Sequence, residues 1–261
     1  MIFELVGSRV LGPYFGTSIF VWTSLIGIIL GSLSLGYYFG GKLADKKPSF
    51  NNLSLIIFLS AIFIGLTTFI KDFLLLILQA NISDVRLSTV LATVALFLPA
   101  SILLGMVSPY AAKLKLSSLS TSGSTIGNLY ALSTAGSIFG TFLSGFYLIP
   151  HFGTNKLLII LSITLIIVSL ALSARRLLSI KLSICVVLII GWTTLNGIST
   201  LFEKNSFIDL DTAYNRIWIY DRLDTETNKT VKTIGINNEN HSSMFLDSDE
   251  LVNEYTKYYH L

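Results

Sequence analysis

Charged residues are scarce in this chain of 261 residues, of which only 13% are Asp, Glu, Lys or Arg. A soluble globular protein carries about 25%. Cysteine is nearly absent too. Cys185 is the single one, so an intrachain disulfide is excluded and a cysteine metal cluster is not expected. It stands in an apolar run, which favours a small buried hydrophobic role. Hydrophobic residues make up 52% of the chain, and the composition indicates an integral membrane protein.

The sequence also lacks the motifs of common active sites. No glycine-rich loop follows a strand and opens a helix, as a nucleotide or adenosyl cofactor would require. No GxSxG, HExxH or P-loop motif is present. From the residues alone we predict no catalytic residue, no metal site and no cofactor site within these 261 residues.

The N-terminus has no basic segment ahead of its first apolar stretch, so a cleavable signal peptide is not predicted. The chain begins almost inside a hydrophobic segment. We therefore expect that the first span is short or that its upstream half lies outside this sequence.

Long apolar runs dominate the first 201 residues. A helix needs about 20 apolar residues to cross a bilayer, and a membrane β-barrel would show alternation instead of continuous runs. Six runs meet the requirement: 18–39, 53–78, 87–107, 126–149, 157–174 and 182–201. The segment before Pro13 is a partial seventh. We predict an α-helical membrane bundle of six to seven transmembrane helices over residues 1–201.

The charges divide the chain into two regions of opposite sign. Residues 1–201 hold 12 Lys/Arg and 4 Asp/Glu, a net charge of +8, whereas residues 202–261 hold 6 and 11, a net charge of −5. The basic residues concentrate in the predicted loops 40–52, 111–122 and 175–181, which the positive-inside rule places in the cytoplasm. Such charges signal topology, so a nucleic-acid partner is not expected.

The alternate loops carry weaker charge and include Lys71 with Asp72, and Asp84 with Arg86. Counting spans onward from these loops places the C-terminal tail outside the cytoplasm. One miscounted span would reverse this prediction.

The tail, residues 202–261, has the composition of a small β-rich region. Strand formers favour a strand within 208–220 and a second at 230–236, with turns at 225–228 and 237–241. Ser248 is a helix cap that precedes acidic residues, so a C-terminal helix is predicted over 251–261. Because 60 residues bury little core, we expect the tail to pack on something else.

Three polar residues inside the predicted spans are candidates for function: Glu4, Arg9 and Asn128. Charges at membrane depth are costly and usually face a partner or a cavity. Glu4 and Arg9 could bind a charged ligand, or occupy interfacial positions with a structural partner on another helix. Asn128, with Tyr130 and Thr134, could line a polar cavity or make hydrogen bonds between helices.

Glycines recur four residues apart in the predicted spans, a spacing that lets helix backbones approach closely. Such helices could form a mobile pair, as in a transporter, or a static tight packing. The glycine pairs are Gly27 with Gly31, Gly36 with Gly40, and Gly136 with Gly140.

Four blocks of sequence resemble, in order, fused transporter-like/spermidine-synthase proteins of bacteria and archaea. The first block, residues 4–47, contains Leu11-Gly12-Pro13 and ends in the motif GGKLADK at positions 40–46. The others span 127–150, which begins GNLYA, 211–217, which reads DTAYNRI, and 249–261. The four blocks run in the family's order and are distributed across nearly the whole chain.

This resemblance implies a bundle similar to half of a major-facilitator transporter, followed by the first β-region of a spermidine-synthase-like module. The family reaction would be aminopropyl transfer from decarboxylated S-adenosylmethionine to a polyamine, in which an amine attacks the carbon next to a sulfonium. The domain that would hold this cofactor is not among these residues. Substrate-facing candidates in the tail are Tyr214, His241, Tyr255 and Tyr258.

The leading hypothesis is therefore the membrane-embedded N-terminal part of an aminopropyltransferase-like protein, catalytically incomplete by itself. Its partners would be the lipid bilayer and a separate catalytic chain, or further copies of itself. The alternatives are a membrane transporter or transport subunit, with amines as the candidate substrates, and a membrane scaffold that recruits a soluble partner.

Overall fold

A computed structural model describes residues 1–116, 122–174 and 181, and in the tail 207–212, 215–224, 227–237, 239–248 and 252. The chain divides into two compact units, residues 1–186 and 187–261. The first is helical and the second contains the β-strands.

Among the described residues of the first unit, six α-helices have defined bounds. They are α1 (Ile2–Phe15), α2 (Ile19–Lys46), α3 (Phe50–Asn81), α4 (Val85–Lys115), α5 (Ser122–Leu143) and α6 (Ile149–Ala171), with a π-helical turn at Ser144–Leu148. Within the described residues, four stretches are long and apolar enough to cross a membrane: α2, α3, α4 and Ser122–Ala171. The protein is thus membrane-embedded, with four candidate spans among the described residues, whereas the sequence predicts six to seven over residues 1–201.

The predicted runs map unequally onto these helices. Runs 18–39, 53–78 and 87–107 lie within α2, α3 and α4. The partial segment before Pro13 belongs to α1, whose 14 residues reach only about 21 Å and do not cross a hydrocarbon core of about 30 Å. Run 182–201 lies outside the described residues.

Runs 126–149 and 157–174 fall in or beside the fourth candidate span, which is 50 residues long. A straight helix of that length would measure about 75 Å. Gly153 interrupts it with φ 70° and ψ 172°, a conformation that glycine adopts without steric cost. Beyond this break, α6 runs antiparallel to α3, because Ser162 Oγ donates to Ala61 O at 2.8 Å and Ser169 Oγ donates to Ser54 O at 2.7 Å.

Helices α2 and α4 lie parallel and approach closely through glycines. A Cβ atom at Gly36 would overlap the carbonyl oxygen of Ile102 and lie 2.9 Å from Gly105 Cα, and one at Gly40 would lie 2.6 Å from Met106 Cα. Nothing lies within 4 Å of a Cβ atom at Gly27 or Gly31. Of the two predicted glycine pairs on α2, only the second packs against another described helix.

The short helix α1 lies in the core of the bundle. Its buried Val6 and Leu11 pack in one cluster with Leu25 of α2 and Leu157 of α6. The ring of Phe3 packs against another aromatic ring of this cluster in a tilted arrangement, and the two ring centroids are 4.9 Å apart. Helix α1 therefore fills the bundle interior although it is too short to span a bilayer.

The second unit contains a four-stranded antiparallel sheet in the order β1-β2-β3-β4. The strands are β1 (Phe207–Asp211), β2 (Arg216–Leu223), β3 (Thr230–Ile236) and β4 (Glu239–Phe245). The predicted strand at 230–236 is confirmed. The strand structure predicted within 208–220 is confirmed, but the segment contains two strands, because a turn in which Thr212 N donates to Asn215 O at 3.0 Å separates β1 from β2.

The turns of the sheet differ in how well the sequence predicts them. Asn228, with φ 53°, lies in the predicted turn at 225–228, which is confirmed for its described residues. The turn predicted over 237–241 is shorter in the structure than in the prediction, since Asn237 has φ 54° and β4 already begins at Glu239. The predicted helix 251–261 lies outside the described residues except for Val252, which is not helical.

Candidate functional site

The structure places some of the predicted site residues. Glu4 and Arg9 are half-buried on α1, Asn128 is exposed on α5, and His241 is exposed on β4. Their functional roles remain predictions. Three further candidates lie outside the described residues: Tyr214, Tyr255 and Tyr258.

A charged cluster joins α1 to α3. Lys71 Nζ donates to both carboxylate oxygens of Asp72, at 2.7 and 2.8 Å, and Tyr14 Oη donates to Asp72 Oδ1 at 2.6 Å. The Lys71 side chain is only 3% exposed, whereas that of Asp72 is 38% exposed. We call these three residues the Asp72 cluster. The carboxylate is the member that a molecule outside the bundle can reach.

Burial explains why these groups pair. A lysine ammonium removed from water is very unfavourable unless a counter-charge and hydrogen bonds compensate it. Asp72 provides the counter-charge, and Tyr14 satisfies part of the remaining acceptor capacity of its carboxylate. The arrangement therefore fixes the end of α1 against α3.

The cluster lies far along α3 from the lysine-rich turn that precedes this helix. Lys71 is 21 residues beyond Phe50, the first residue of α3, or about 31 Å along the axis. This is about the thickness of the hydrocarbon core. Tyr14 lies beside the sharp turn at Gly16, whose φ is 75°. The cluster is thus at the bundle end where α1 joins α2.

The sequence assigned Lys71 and Asp72 to a weakly charged loop, and that assignment is wrong because both lie inside α3. A carboxylate that accepts from an ammonium and a phenol is chemically able to accept from another organic ammonium or to take up a proton. Two ionisable residues inside an apolar run were the signal for such a site.

A second buried charge lies between α3 and the end of α6. Lys181, 2% exposed, donates to Ser54 Oγ, to Ser169 Oγ at 2.8 Å and to Ser173 Oγ at 2.7 Å. Its Nζ also lies 5.3 Å from the ring centroid of Phe58. These three serine hydroxyls are neutral hydrogen-bond partners, and burial lowers the pKa of Lys181 below its usual value.

The serines of this second site are arranged to accept. Ser54 Oγ donates to Ser169 O at 2.6 Å, Ser169 Oγ to Ser54 O at 2.7 Å, and Ser173 Oγ to Ser169 O at 3.0 Å. Because each hydroxyl proton has a carbonyl acceptor, the three hydroxyl oxygens are available to the three N–H groups of the ammonium. Serine 54 is fully buried, so the site binds two helices together and is not reachable by a substrate.

Protein-family models, curated proteins and solved structures give no match to this chain. The resemblance to fused transporter-like/spermidine-synthase proteins therefore stays a prediction, and the functional argument rests on the geometry of the two units.

Proposed function

We propose that this chain is the membrane-embedded N-terminal part of a spermidine-synthase-like protein, in which the bundle anchors a sheet that receives a catalytic domain. The observation that carries the proposal is an exposed apolar face of the four-stranded sheet. The polyamine chemistry rests on the sequence resemblance alone.

Strand register defines this face. Ile208 lies opposite Ile219, which lies opposite Ile234 on the next strand. Leu210, Ile217 and Ile236 form a second row in the same way. Alternate residues of a strand share a face, so these six side chains lie together. We call them the apolar sheet face.

The six side chains are not fully covered within the described chain. Ile208 is 49% exposed and Ile234 is 39% exposed. The opposite face has its own buried residues, among them Val231, Thr233 and Phe245. A sheet face that is solvated shows polar residues, so an exposed face of six aliphatic side chains favours a further layer of structure on the apolar sheet face.

A catalytic domain supplied outside these 261 residues would form that layer. Such a domain would provide the glycine-rich cofactor loop and the acidic residues for the amine, which this sequence does not contain. The purified chain should therefore form no spermidine from decarboxylated S-adenosylmethionine and putrescine. Turnover by the chain alone would contradict this expectation.

The decisive experiment is co-expression of the chain with the polypeptide encoded directly after residue 261. We expect a stable complex and aminopropyl transfer, and we expect Ile234→Asp to weaken the complex strongly. Leu223→Asp is the matched control. Leu223 lies on the same side of the sheet as Ile219, but it is exposed at the sheet end, separated from the apolar sheet face by the pair of Lys232 with Asp221. If no such domain is encoded, or both substitutions have equal effects, the proposal fails.

A second candidate function, transport of an organic amine, is favoured by the Asp72 cluster. Lys71 already presents an ammonium to a partly exposed carboxylate, so a ligand amine would compete for the same oxygens. Reconstituted in proteoliposomes, the chain should then take up labelled putrescine, and Asp72→Asn should abolish uptake. An anchor without transport activity predicts no uptake in either protein.

A further inference from the structure

Five lysines gather at one end of the bundle, where α2 and α4 end. All are exposed, and they are Lys42, Lys46, Lys47, Lys113 and Lys115. Asp45 is the acidic residue among them, and its carboxylate lies 2.7 Å from Lys113 Nζ. We call these five lysines the lysine surface. With one carboxylate against five ammonium groups, it keeps a net charge of +4.

Helix packing brings these residues together. Helices α2 and α4 are parallel and approach closely at Gly40 and Met106, and Lys113 pairs with Asp45 at 2.7 Å nearer the ends of the two helices. Tyr110 Oη donates to Lys47 O and accepts from Ser49 N at 3.2 Å, which ties the end of α4 to the turn after α2. The charges therefore form one surface instead of two separate loops.

Exposed aromatic residues precede the lysines on α2. Tyr37, Tyr38 and Phe39 are all exposed, and Lys42 Nζ lies 4.2 Å above the centroid of the Tyr38 ring. Aromatic rings gather at the membrane–water interface, and lysines near helix ends extend their ammonium groups to the same level. The lysine surface therefore lies at the depth of lipid headgroups.

We propose that the lysine surface binds the headgroups of anionic phospholipids in the leaflet that it faces. A cluster of four to eight basic residues next to a membrane helix attracts anionic lipid, with about 1 kcal/mol for each lysine near the surface. The opposite turn, between α3 and α4, carries Asp84 with Arg86 and is balanced in charge. The inference is independent of the proposed function.

The test uses the full chain in neutral detergent micelles, with bound lipids counted by native mass spectrometry. Phosphatidylglycerol is compared with phosphatidylcholine of the same acyl chains, and glycerol phosphate serves as the free-phosphate probe. We expect the chain to retain phosphatidylglycerol more strongly than either phosphatidylcholine or glycerol phosphate. Equal retention of the two lipids, or equally tight binding of glycerol phosphate, would overturn the proposal.

Matched variants locate the site. Lys46→Gln combined with Lys115→Gln should weaken phosphatidylglycerol binding about 25-fold, since each lysine contributes roughly fivefold. The control combines Arg86→Gln with Lys156→Gln, which removes the same charge from exposed positions outside the lysine surface. An equal loss in this control would mean that net charge alone attracts the lipid, and the proposed site would be wrong.

Salt provides a measurement that needs no variant. The screening length for interactions between exposed charges is about 3 Å at 1 M ionic strength, compared with about 10 Å at 0.1 M. The preference of the unmodified chain for phosphatidylglycerol should therefore fall steeply over this range. A preference that salt does not change would contradict a headgroup site built from exposed lysines.

Discussion

The close approach of α2 to α4 makes a specific prediction about four glycines on one helix. Gly36 and Gly40 face the backbone of α4, whereas a Cβ atom at Gly27 or Gly31 would meet nothing within 4 Å. Both pairs have the same spacing and lie in the same helix. Substitution by alanine therefore separates the effect of packing from the effect of helix propensity.

The magnitudes follow from two opposing terms. Replacing glycine by alanine in a helix interior favours the helix by about 1 kcal/mol at every one of these positions. At Gly36 and Gly40 the new methyl group meets backbone atoms of Ile102, Gly105 and Met106, which cannot rotate away. Overpacking of this kind costs about 1–3 kcal/mol. We expect Gly36→Ala and Gly40→Ala to be neutral to destabilising by about 2 kcal/mol.

The controls Gly27→Ala and Gly31→Ala should leave stability unchanged or raise it by up to about 1 kcal/mol. Unfolding of each variant in mixed lipid–detergent micelles, followed by tryptophan fluorescence, measures the difference. The reasoning is refuted if all four variants shift the free energy of unfolding in the same direction by similar amounts.

Three further predictions concern the two buried charges. Asp72→Asn should destabilise the bundle by about 1–3 kcal/mol, less than for a fully buried pair because Asp72 is 38% exposed. Adding Lys71→Met to this variant should restore much of the lost stability, since an apolar pair often replaces an ion pair without penalty. Unfolding of both variants in micelles measures the recovery. A double variant that is no more stable than Asp72→Asn would argue against the ion pair. Tyr14→Phe should cost about 1.5–3 kcal/mol in wild type and less in Asp72→Asn, as a double-mutant cycle would show. Burial lowers the pKa of Lys181 below 10.5, so between the lowered pKa and 10.5 the unfolded chain binds more protons than the folded chain, and stability should rise with pH there. Lys181→Met should remove that rise from the unfolding free energy measured against pH, and an unchanged slope would contradict the role of this burial.

Several features of the fold follow from local sequence. The runs 18–39, 53–78 and 87–107 predict membrane helices because the length of an apolar run and the thickness of a bilayer suffice for that inference. Strand β3 at Thr230–Ile236 follows from alternating β-branched residues. Strand β4, with the sequence ENHSSMF, has no such signal and forms because its backbone pairs with β3.

The candidate sites depend on partners that sequence separation hides. The sequence predicts Lys71 and Asp72 to be loop charges. In the fold, Tyr14 of α1 donates to the Asp72 carboxylate, although the two residues are 58 positions apart in the chain. Lys181 finds Ser54 across 127 residues. Ionisable residues inside an apolar run indicate a site, but local sequence does not specify which distant residues will contact them. The partners Tyr14 and Ser54 therefore could not be predicted from the sequence.

The sequence by itself therefore determined that this protein is embedded in a membrane and that its tail forms strands, because burial in lipid and strand propensity are properties of short segments. Tertiary structure decided which glycines pack, which charges are buried and which lysines share a surface. Those outcomes depend on the parallel packing of α2 with α4 and the antiparallel packing of α3 with α6, and on the few ångströms between helix backbones that this packing sets.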